Sequence, residues 1–310
     1  MRIAVTGAFG YSGRYIAEHL LADGHTVVTL TNSPQRSSPL QGRVEVLPLG
    51  FGDPAGLAES LRGAEVLVNT YWVRFEHARF GHGEAVRNTK TLFAAARTAG
   101  VRRVVHISIT NPDANSPLPY FRGKAELEAE LRGLGPSYCI LRPAVLFGRE
   151  DVLVNNIAWS LRHMPVFGVF GNGRYRLQPM HVEDLAAAVV ARASRDDNEV
   201  IEAIGPETFT YRGLAETVRQ ALGLRRLILP VPPWAGYLTC RILGLLLRDI
   251  IITRDEIRGL MAERLYVDAP ALGTTRLTDW VRANRDSLGR RYANDLARRL
   301  DRQAGYGPGA

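Results

Sequence analysis

Tyr120 and Lys124 stand four residues apart in LPYFRGKAELEAEL, residues 118–131. That is about one turn of helix, so the two side chains share a face. A phenol of pKa ~10 is a poor acid-base catalyst at neutral pH, but a neighbouring ammonium stabilises the phenolate and draws its pKa toward the working range. Such a pair can pass a proton to or from a carbonyl or alcohol oxygen. In isolation the spacing reads as helix surface, yet of the 39 basic residues only Lys90 and Lys124 are lysines. Arginine serves most surface roles, whereas only an ammonium is compact and able to shed a proton. A lysine kept here in an arginine-rich chain favours a working pair.

A nucleotide site is written just as locally. In VTGAFGYSG, Gly7, Gly10 and Gly13 fall between the apolar run RIAVTG and the helical pattern YSGRYIAEHLLADG. Gly7 there permits a tight turn, Gly10 lets the backbone approach a pyrophosphate, and Gly13 lets helix pack on strand, with the helix N-terminus aimed at the anion. Three glycines alone are a weak signal. Their position at the first strand of a strand-helix series favours a dinucleotide site over a structural turn. At the end of the second strand an acid would grip a ribose diol and an arginine would welcome a 2'-phosphate. This chain reads TLTNSPQR, with Thr31 and Asn32 at the deciding positions and no acid. NADP is therefore expected through Arg36, with Arg14 a second candidate and NAD still open.

The elements that must position these groups follow from hydrophobic pattern. HTVVTL, VEVLPL, EVLVNT, RVVHIS and SYCILR are short strand-like runs, several separated by helical stretches such as 54–61 and 83–99, and EVIEAIG adds a later strand after HVEDLAAAVVARAS. Alternating strands and helices imply right-handed crossovers and a parallel sheet. The expected fold class is α/β: a doubly wound parallel sheet (Rossmann) with a smaller, mostly helical C-terminal lobe. Residues 1–145 are the expected dinucleotide-binding core, completed by about 180–205, and 146–179 with 206–310 the lobe.

TGAFGYSG, VRNTKTLFAAARTAGVRRVVHIS, the Tyr120 and Lys124 pair, SYCILRPAVLFG and HVEDLAAAV together resemble the extended and atypical short-chain dehydrogenase/reductases. The likeness is nearest to the branch holding bacterial NAD(P)-binding epimerase-like proteins and the nucleotide-binding accessory subunit of mitochondrial complex I. It implies a Rossmann sheet, a nicotinamide dinucleotide and a Ser/Thr, Tyr, Lys site in which the tyrosine moves the proton. Carried over, Tyr120 and Lys124 match the active pair, Thr110 aligns better than Ser108 with the catalytic hydroxyl, and Asn88 takes the place of a helix asparagine that ties the lysine into a water chain. The implied cofactor contacts are Gly7, Ala8, Phe9, Gly10, Tyr11 and Gly13 of the loop, Asn32 and Arg36, then Phe51, Asn69 and Thr70, with Lys124 and with Pro143 beside the nicotinamide. Two departures matter. Gly50 fills the slot where an aspartate usually lies near the adenine, leaving Asp53 as a helix cap, and only ten residues separate Thr110 from Tyr120, which argues against a nucleotide-sugar substrate.

Composition narrows the rest. The 310 residues suffice for one large domain or two modest ones. Cys139 and Cys240 read as reduced thiols, with no disulfide framework or metal site. No secretory pattern and no long apolar run point to a cytoplasmic protein. The net charge of +8 is spread along the chain except in Trp280–Arg302, which reads as a solvated basic helix or, in rivalry, as a contact for an anionic membrane or acidic partner. Nucleic acid is not expected. Trp72, Trp159, Phe167, Phe170, Trp234 and Tyr237 are each expected in the core of the lobe. The apolar stretch 230–252, flanked by Arg241, Arg248 and Arg254, has two readings: a buried helix, or an interfacial helix that touches membrane or admits a quinone-like or isoprenoid substrate. Two functions stay open, an NAD(P)-dependent oxidoreductase acting on a small hydrophobic carbonyl or alcohol, and a non-catalytic NAD(P)-binding sensor or assembly factor.

Overall fold

The computed structural model describes residues 1–76 and 80–306. In chain order its elements are β1 (Arg2–Thr6), α1 (Tyr11–Ala22), β2 (Thr26–Thr31), β3 (Glu45–Pro48), α2 (Pro54–Ser60), β4 (Val66–Asn69), α3 (His82–Thr98), β5 (Arg103–Ile107), α4 (Pro119–Arg132) and β6 (Ser137–Pro143). Then come β7 (Val145–Phe147), α5 (Leu153–His163), β8 (Val166–Phe170), β9 (Arg176–Leu177), β10 (Pro179–His181), α6 (Val182–Ala193), β11 (Glu199–Ala203) and β12 (Phe209–Thr210). The series ends with α7 (Tyr211–Ala221), β13 (Leu227–Val231), α8 (Pro233–Leu247), α9 (Arg254–Met261), α10 (Leu277–Ala283) and α11 (Asp295–Leu300).

Two compact units result, Met1–Pro143 with Leu185–Ala203, and Ala144–Asp184 with Ile204–Ala310. The first holds a seven-stranded sheet in the order β11-β6-β5-β4-β1-β2-β3, parallel throughout. Its central strands are buried on both faces, which is why they read as unbroken apolar runs rather than as alternations. The chain winds outward from β1 through β2 to β3, then returns to the other flank of β1 as β4. Ligands of such sheets lie at the carboxyl ends of the strands where the order reverses, here β1 and β4. The far strand β11 is tied in by Arg103, a fully buried side chain whose guanidinium donates to the Arg192 and Asp197 carbonyls and pairs with Glu199.

The second unit replaces a large sheet by three two-stranded pairs, β7 with β10, β9 with β12 and β8 with β13, around a core that includes Phe147, Ile157, Phe170, Tyr211 and Leu214. Three sequence expectations change here. Trp72 belongs to the first unit, not the lobe. Phe170 is buried and Trp159, Phe167 and Tyr237 are half-buried, but Trp234 is 72% exposed. The basic tail is not one solvated helix: it is broken between α10 and α11, and Arg298 is buried, donating to the Glu150 carbonyl at 2.8 Å. Among the described residues no helix is long and apolar enough to cross a membrane.

Candidate functional site

At the carboxyl end of β1, Gly7 takes φ +67°, a left-handed conformation that only glycine adopts without strain. The turn is pinned by Gly7 N–H donating to the Leu30 carbonyl and Gly10 N–H to the Gly7 carbonyl, at 3.0 and 2.7 Å. A Cβ on Gly13 would run into the Gly7 carbonyl, so this glycine is what lets α1 sit against the turn, whereas a Cβ on Gly10 would stand 3.1 Å from the same oxygen, close but not prohibitive. The N-cap, Gly10, supplies no side-chain acceptor and the first turn of α1 carries no acid, so its leading N–H groups suit an anion. Ala8 and Phe9 are buried, with Ala8 N–H donating to the Thr29 hydroxyl at 3.1 Å, and half-buried Tyr11 packs edge-on against Tyr15. Gly13→Ala is expected to cost ~2 kcal/mol or more of stability through overpacking. Gly10→Val is expected to keep the thermal midpoint within a few degrees but weaken NADPH by about tenfold or more in calorimetric titration. Unchanged NADPH binding by Gly10→Val would remove the loop from the cofactor site.

Toward the adenosine end, Thr31 closes β2 with its hydroxyl accepting from Ser33 N–H at 2.9 Å, and Asn32 is exposed. Arg36 is buried rather than solvated, inside a loop braced by Gln41, whose amide donates to the Pro34 and Arg36 carbonyls. The Arg14 guanidinium lies over the Tyr15 ring and 3.8 Å from Glu18. A Cβ on Gly50 would meet nothing within 4 Å, so the missing acid leaves open space, and Asp53 caps α2 by accepting from Gly56 N–H. Phe51 packs on Tyr71, ring centroids 4.8 Å apart.

The end of β4 is a closed hydrogen-bond knot. The Thr6 hydroxyl donates to Asn69 Oδ1 and accepts from Thr70 and Tyr71 N–H, while the Thr70 hydroxyl donates to the Thr6 carbonyl at 2.6 Å. Asn69, fully buried, gives its amide N–H to His106 Nδ1 at 3.1 Å. Its side chain is thus consumed in fixing the turn, and it is not exposed to a ligand. His106 is fully buried, and that burial, helped by the charge of Lys124, holds its pKa well below the imidazole range. The Asn88 amide donates to the Tyr71 hydroxyl at 2.9 Å, and burial lifts that phenol to about 12.

Across from this knot α4 presents the Tyr-Lys pair. Pro119 opens the helix, where a missing N–H is harmless, and half-buried Tyr120 follows. Lys124 is 2% exposed; its ammonium donates to the Ile107 carbonyl at 2.7 Å and lies 4.4 Å from the centre of the Trp72 ring. Burial pulls its pKa from the ordinary lysine value down to about 7, with Glu128 one turn on opposing the shift. Ser108 is spoken for: its hydroxyl donates to Glu128 at 2.7 Å, and Glu128 is clamped by Arg142, which also pairs with Glu202. Thr110 is buried at the end of the β5 segment, its N–H donating to the carbonyl of buried Pro143 at 3.1 Å. Of the two hydroxyls, Thr110 is the one outside the Glu128 clamp.

Glycine cradle, acid-free helix start and buried lysine fit a nicotinamide dinucleotide. A family model described as NAD(P)H-binding matches residues 7–157. The 40 kDa NADH-ubiquinone oxidoreductase subunit of Neurospora crassa is 30% identical over 249 residues, 76% of this chain and 65% of that protein. The chain carries an NAD(P)H-binding domain and is similar to NAD(P)-binding, epimerase-like proteins. Subunit 9 of the NADH dehydrogenase 1 alpha subcomplex of Arabidopsis thaliana is 29% identical over 68% of this chain and 56% of its own length, so the chain spans 56% and 65% of these two relatives. Quinone oxidoreductase 2 of Escherichia coli is 26% identical over 226 residues, 71% of this chain and 74% of that protein. In fold, an NADPH-dependent quinone oxidoreductase of Escherichia coli, solved with NADPH, aligns at TM-score 0.71 and 24% identity over 90% of this chain and 98% of the other.

Around the Tyr-Lys pair, the aromatic surroundings escaped the sequence reading. Tyr120 meets Trp72 edge-on at 5.6 Å and His82 at 5.6 Å, and Trp72 stacks on His82. A Cβ on Gly123 would press on Trp72 and Val86, so the glycine inside YFRGK is what lets the indole lie on α4. The Trp72 indole N–H, buried, has no hydrogen-bond partner among the described residues. His82, 8% exposed, opens α3, with its backbone N–H donating to Glu76. Glu128 had a signal, four residues after Lys124 on the same face; Trp72 and His82 had none, being brought in by the turn after β4.

Proposed function

We propose that this chain is an NAD(P)H-dependent oxidoreductase that reduces a small, hydrophobic, quinone-like carbonyl, with Tyr120 as proton donor. The observation that carries the reading is Lys124, an ammonium buried one helical turn from Tyr120 and detuned to about 7. Nothing in packing asks for a lysine there; burying one is costly, and such costs concentrate where a group must exchange or steer a proton. The bound cofactor supplies the hydride. Thr110 orients the carbonyl oxygen, Tyr120 hands its phenolic proton to that oxygen as the carbon is reduced, and protonated Lys124 stabilises the phenolate left behind. Trp72 and His82 wall the phenol from water. The aromatic setting and the short Thr110-to-Tyr120 loop suit a flat apolar acceptor better than a nucleotide sugar. A quinone reductase among the relatives supports the same class.

The test is NADPH oxidation followed against a panel of short-chain quinones, enals and apolar ketones, with turnover on at least one quinone expected. NADPH that binds well with no oxidation across the panel would favour the second reading, a non-catalytic NAD(P)-binding assembly factor, which the two respiratory-complex subunits among the relatives support.

Arg36 is the proposed 2'-phosphate ligand. Wild type is expected to bind NADPH about tenfold or more tightly than NADH, and Arg36→Ala to lose that margin while NADH affinity holds. A wild-type preference for NADH would overturn the assignment.

A further inference from the structure

Helix α8 is built inside out. Large apolar residues on a helix of a globular unit ordinarily face its core, but here Trp234, Leu238, Ile242, Leu245 and Leu246 are 72%, 53%, 55%, 74% and 76% exposed. At about 100° per residue these five positions fall within a single arc of about 120°. The opposite face carries Gly236, Cys240 and Gly244, spaced by four, and it is this small-residue face that packs inward. A Cβ on Gly236 would strike the Phe170 ring and one on Gly244 the Asp249 carbonyl. The preceding strand continues the pattern, for Leu227 and Leu229 of β13 are 62% and 43% exposed while Ile228 between them is buried.

We propose that this face of α8 is a docking surface for an anionic phospholipid bilayer, on which the helix lies flat. Charge selects the occupant. From Arg225 to Thr253 the chain has four arginines and a single acid, Asp249. That carboxylate is turned inward, accepting from the Tyr292 hydroxyl and from the N–H groups of Ile250, Asp295 and Leu296. Arg225, Arg241 and Arg248 are exposed, so the charge displayed around the leucines is entirely positive over this stretch. The first exposed acid beyond it, Asp255, pairs with Arg258. A second copy of the chain brought face to face would set arginine against arginine with no acid to answer, whereas lipid phosphates answer them directly. Arg241 borders the apolar arc, and its guanidinium is swung back to the Tyr237 hydroxyl at 3.3 Å, which frees the leucines to enter the acyl boundary while the charge stays among headgroups. With 15 residues, α8 measures about 22 Å, short of the ~30 Å hydrocarbon core, so it lies on a bilayer rather than spanning it. An exposed tryptophan at the start of such a helix is a headgroup-level anchor.

The proposal holds whether or not the nucleotide site turns over, and its test leaves that site alone. The full chain is floated with vesicles of phosphatidylcholine containing phosphatidylglycerol, and in parallel with phosphatidylcholine alone, at low and high salt. Wild type is expected to co-float with the anionic vesicles at low salt, weakly with neutral ones, and less as salt rises. Leu245→Glu and Leu238→Glu are each expected to reduce partition by about tenfold or more, with thermal midpoint and NADPH titration as for wild type. Arg241→Glu, which keeps every leucine, is expected to lose the preference for the anionic vesicles. Absence of wild type from the anionic vesicles, or flotation that the leucine variants leave unchanged, overturns the proposal. So does a wild-type dimer in sedimentation that Leu245→Glu splits without any vesicle binding, because it names a second copy as the occupant.

Discussion

Tyr120→Phe is expected to lower turnover by about 10² or more while NADPH affinity stays within about twofold of wild type. The substitution removes one oxygen. The phenyl ring keeps the edge-on contacts with Trp72 and His82 and the tilted contact with Phe121, and it keeps its place in the first turn of α4, so neither the fold nor the glycine loop has reason to change. What goes is the proton delivered to the carbonyl oxygen. A Tyr120 that were only helix surface would give a variant equal to wild type in both measurements, and that result would end the proton-donor assignment. Loss of turnover together with loss of cofactor binding would instead give the phenol a part in holding the nucleotide. His82→Gln separates the ring's neighbour from the ring: it keeps a polar side chain at the start of α3, and a loss of under about tenfold in turnover there, against ~10² for Tyr120→Phe, is what a packing role for the imidazole implies.

What was legible in the sequence was what local pattern dictates. The runs that became β1, β2 and β4 to β6 are buried on both faces or nearly so, and a strand of that kind shows itself as an unbroken apolar stretch whatever its neighbours are. Gly7 and Gly13 were legible because a left-handed turn and a backbone collision leave no other residue a choice. Asn69, Asn88 and Ser108 were equally prominent as polar residues near strand ends or on the right helix. Their partners, His106, Tyr71 and Glu128, stand 37, 17 and 20 residues away, and nothing in local spacing announces that these side chains are already engaged. The same holds for Arg36, legible as the basic residue of the loop after β2, whereas local pattern does not announce that the loop closes over its side chain. Helix α8 is the converse. Its apolar count could not choose between a buried and an exposed helix, but Gly236, Cys240 and Gly244 at every fourth place mark a face made for close approach, and large residues must then look outward.

Lys124→Met is expected to make the protein more stable in acid and inactive at any pH. The folded-state pKa of Lys124 is depressed from 10.5 to about 7, chiefly by burial. Between about 7 and 10.5 the unfolded chain therefore holds a proton that the native chain does not, so stability rises with pH across that window, and the full penalty of the buried charge is felt below about 7. Methionine, similar in length and uncharged, removes a penalty on the order of 2–5 kcal/mol at pH 6. It also leaves the Ile107 carbonyl without its 2.7 Å donor, a pH-independent loss of ~1–3 kcal/mol. The two stability curves are accordingly expected to cross: the variant leads at pH 6, and wild type draws level and passes it as pH climbs toward 10. Denaturant midpoints of both proteins across that range would reveal the crossing, and parallel curves would mean that Lys124 keeps an ordinary pKa in the fold. Lys124→Arg supplies the complementary case. A guanidinium cannot shed its charge to escape the site, and its larger planar head must replace a compact ammonium seated between the Trp72 ring and the Ile107 carbonyl. That variant is expected to lose stability without recovering it at high pH, and to lose turnover as Lys124→Met does. Stability improved by removing a residue that activity requires is the mark of a group placed for chemistry at the expense of the fold, and no surface lysine behaves that way.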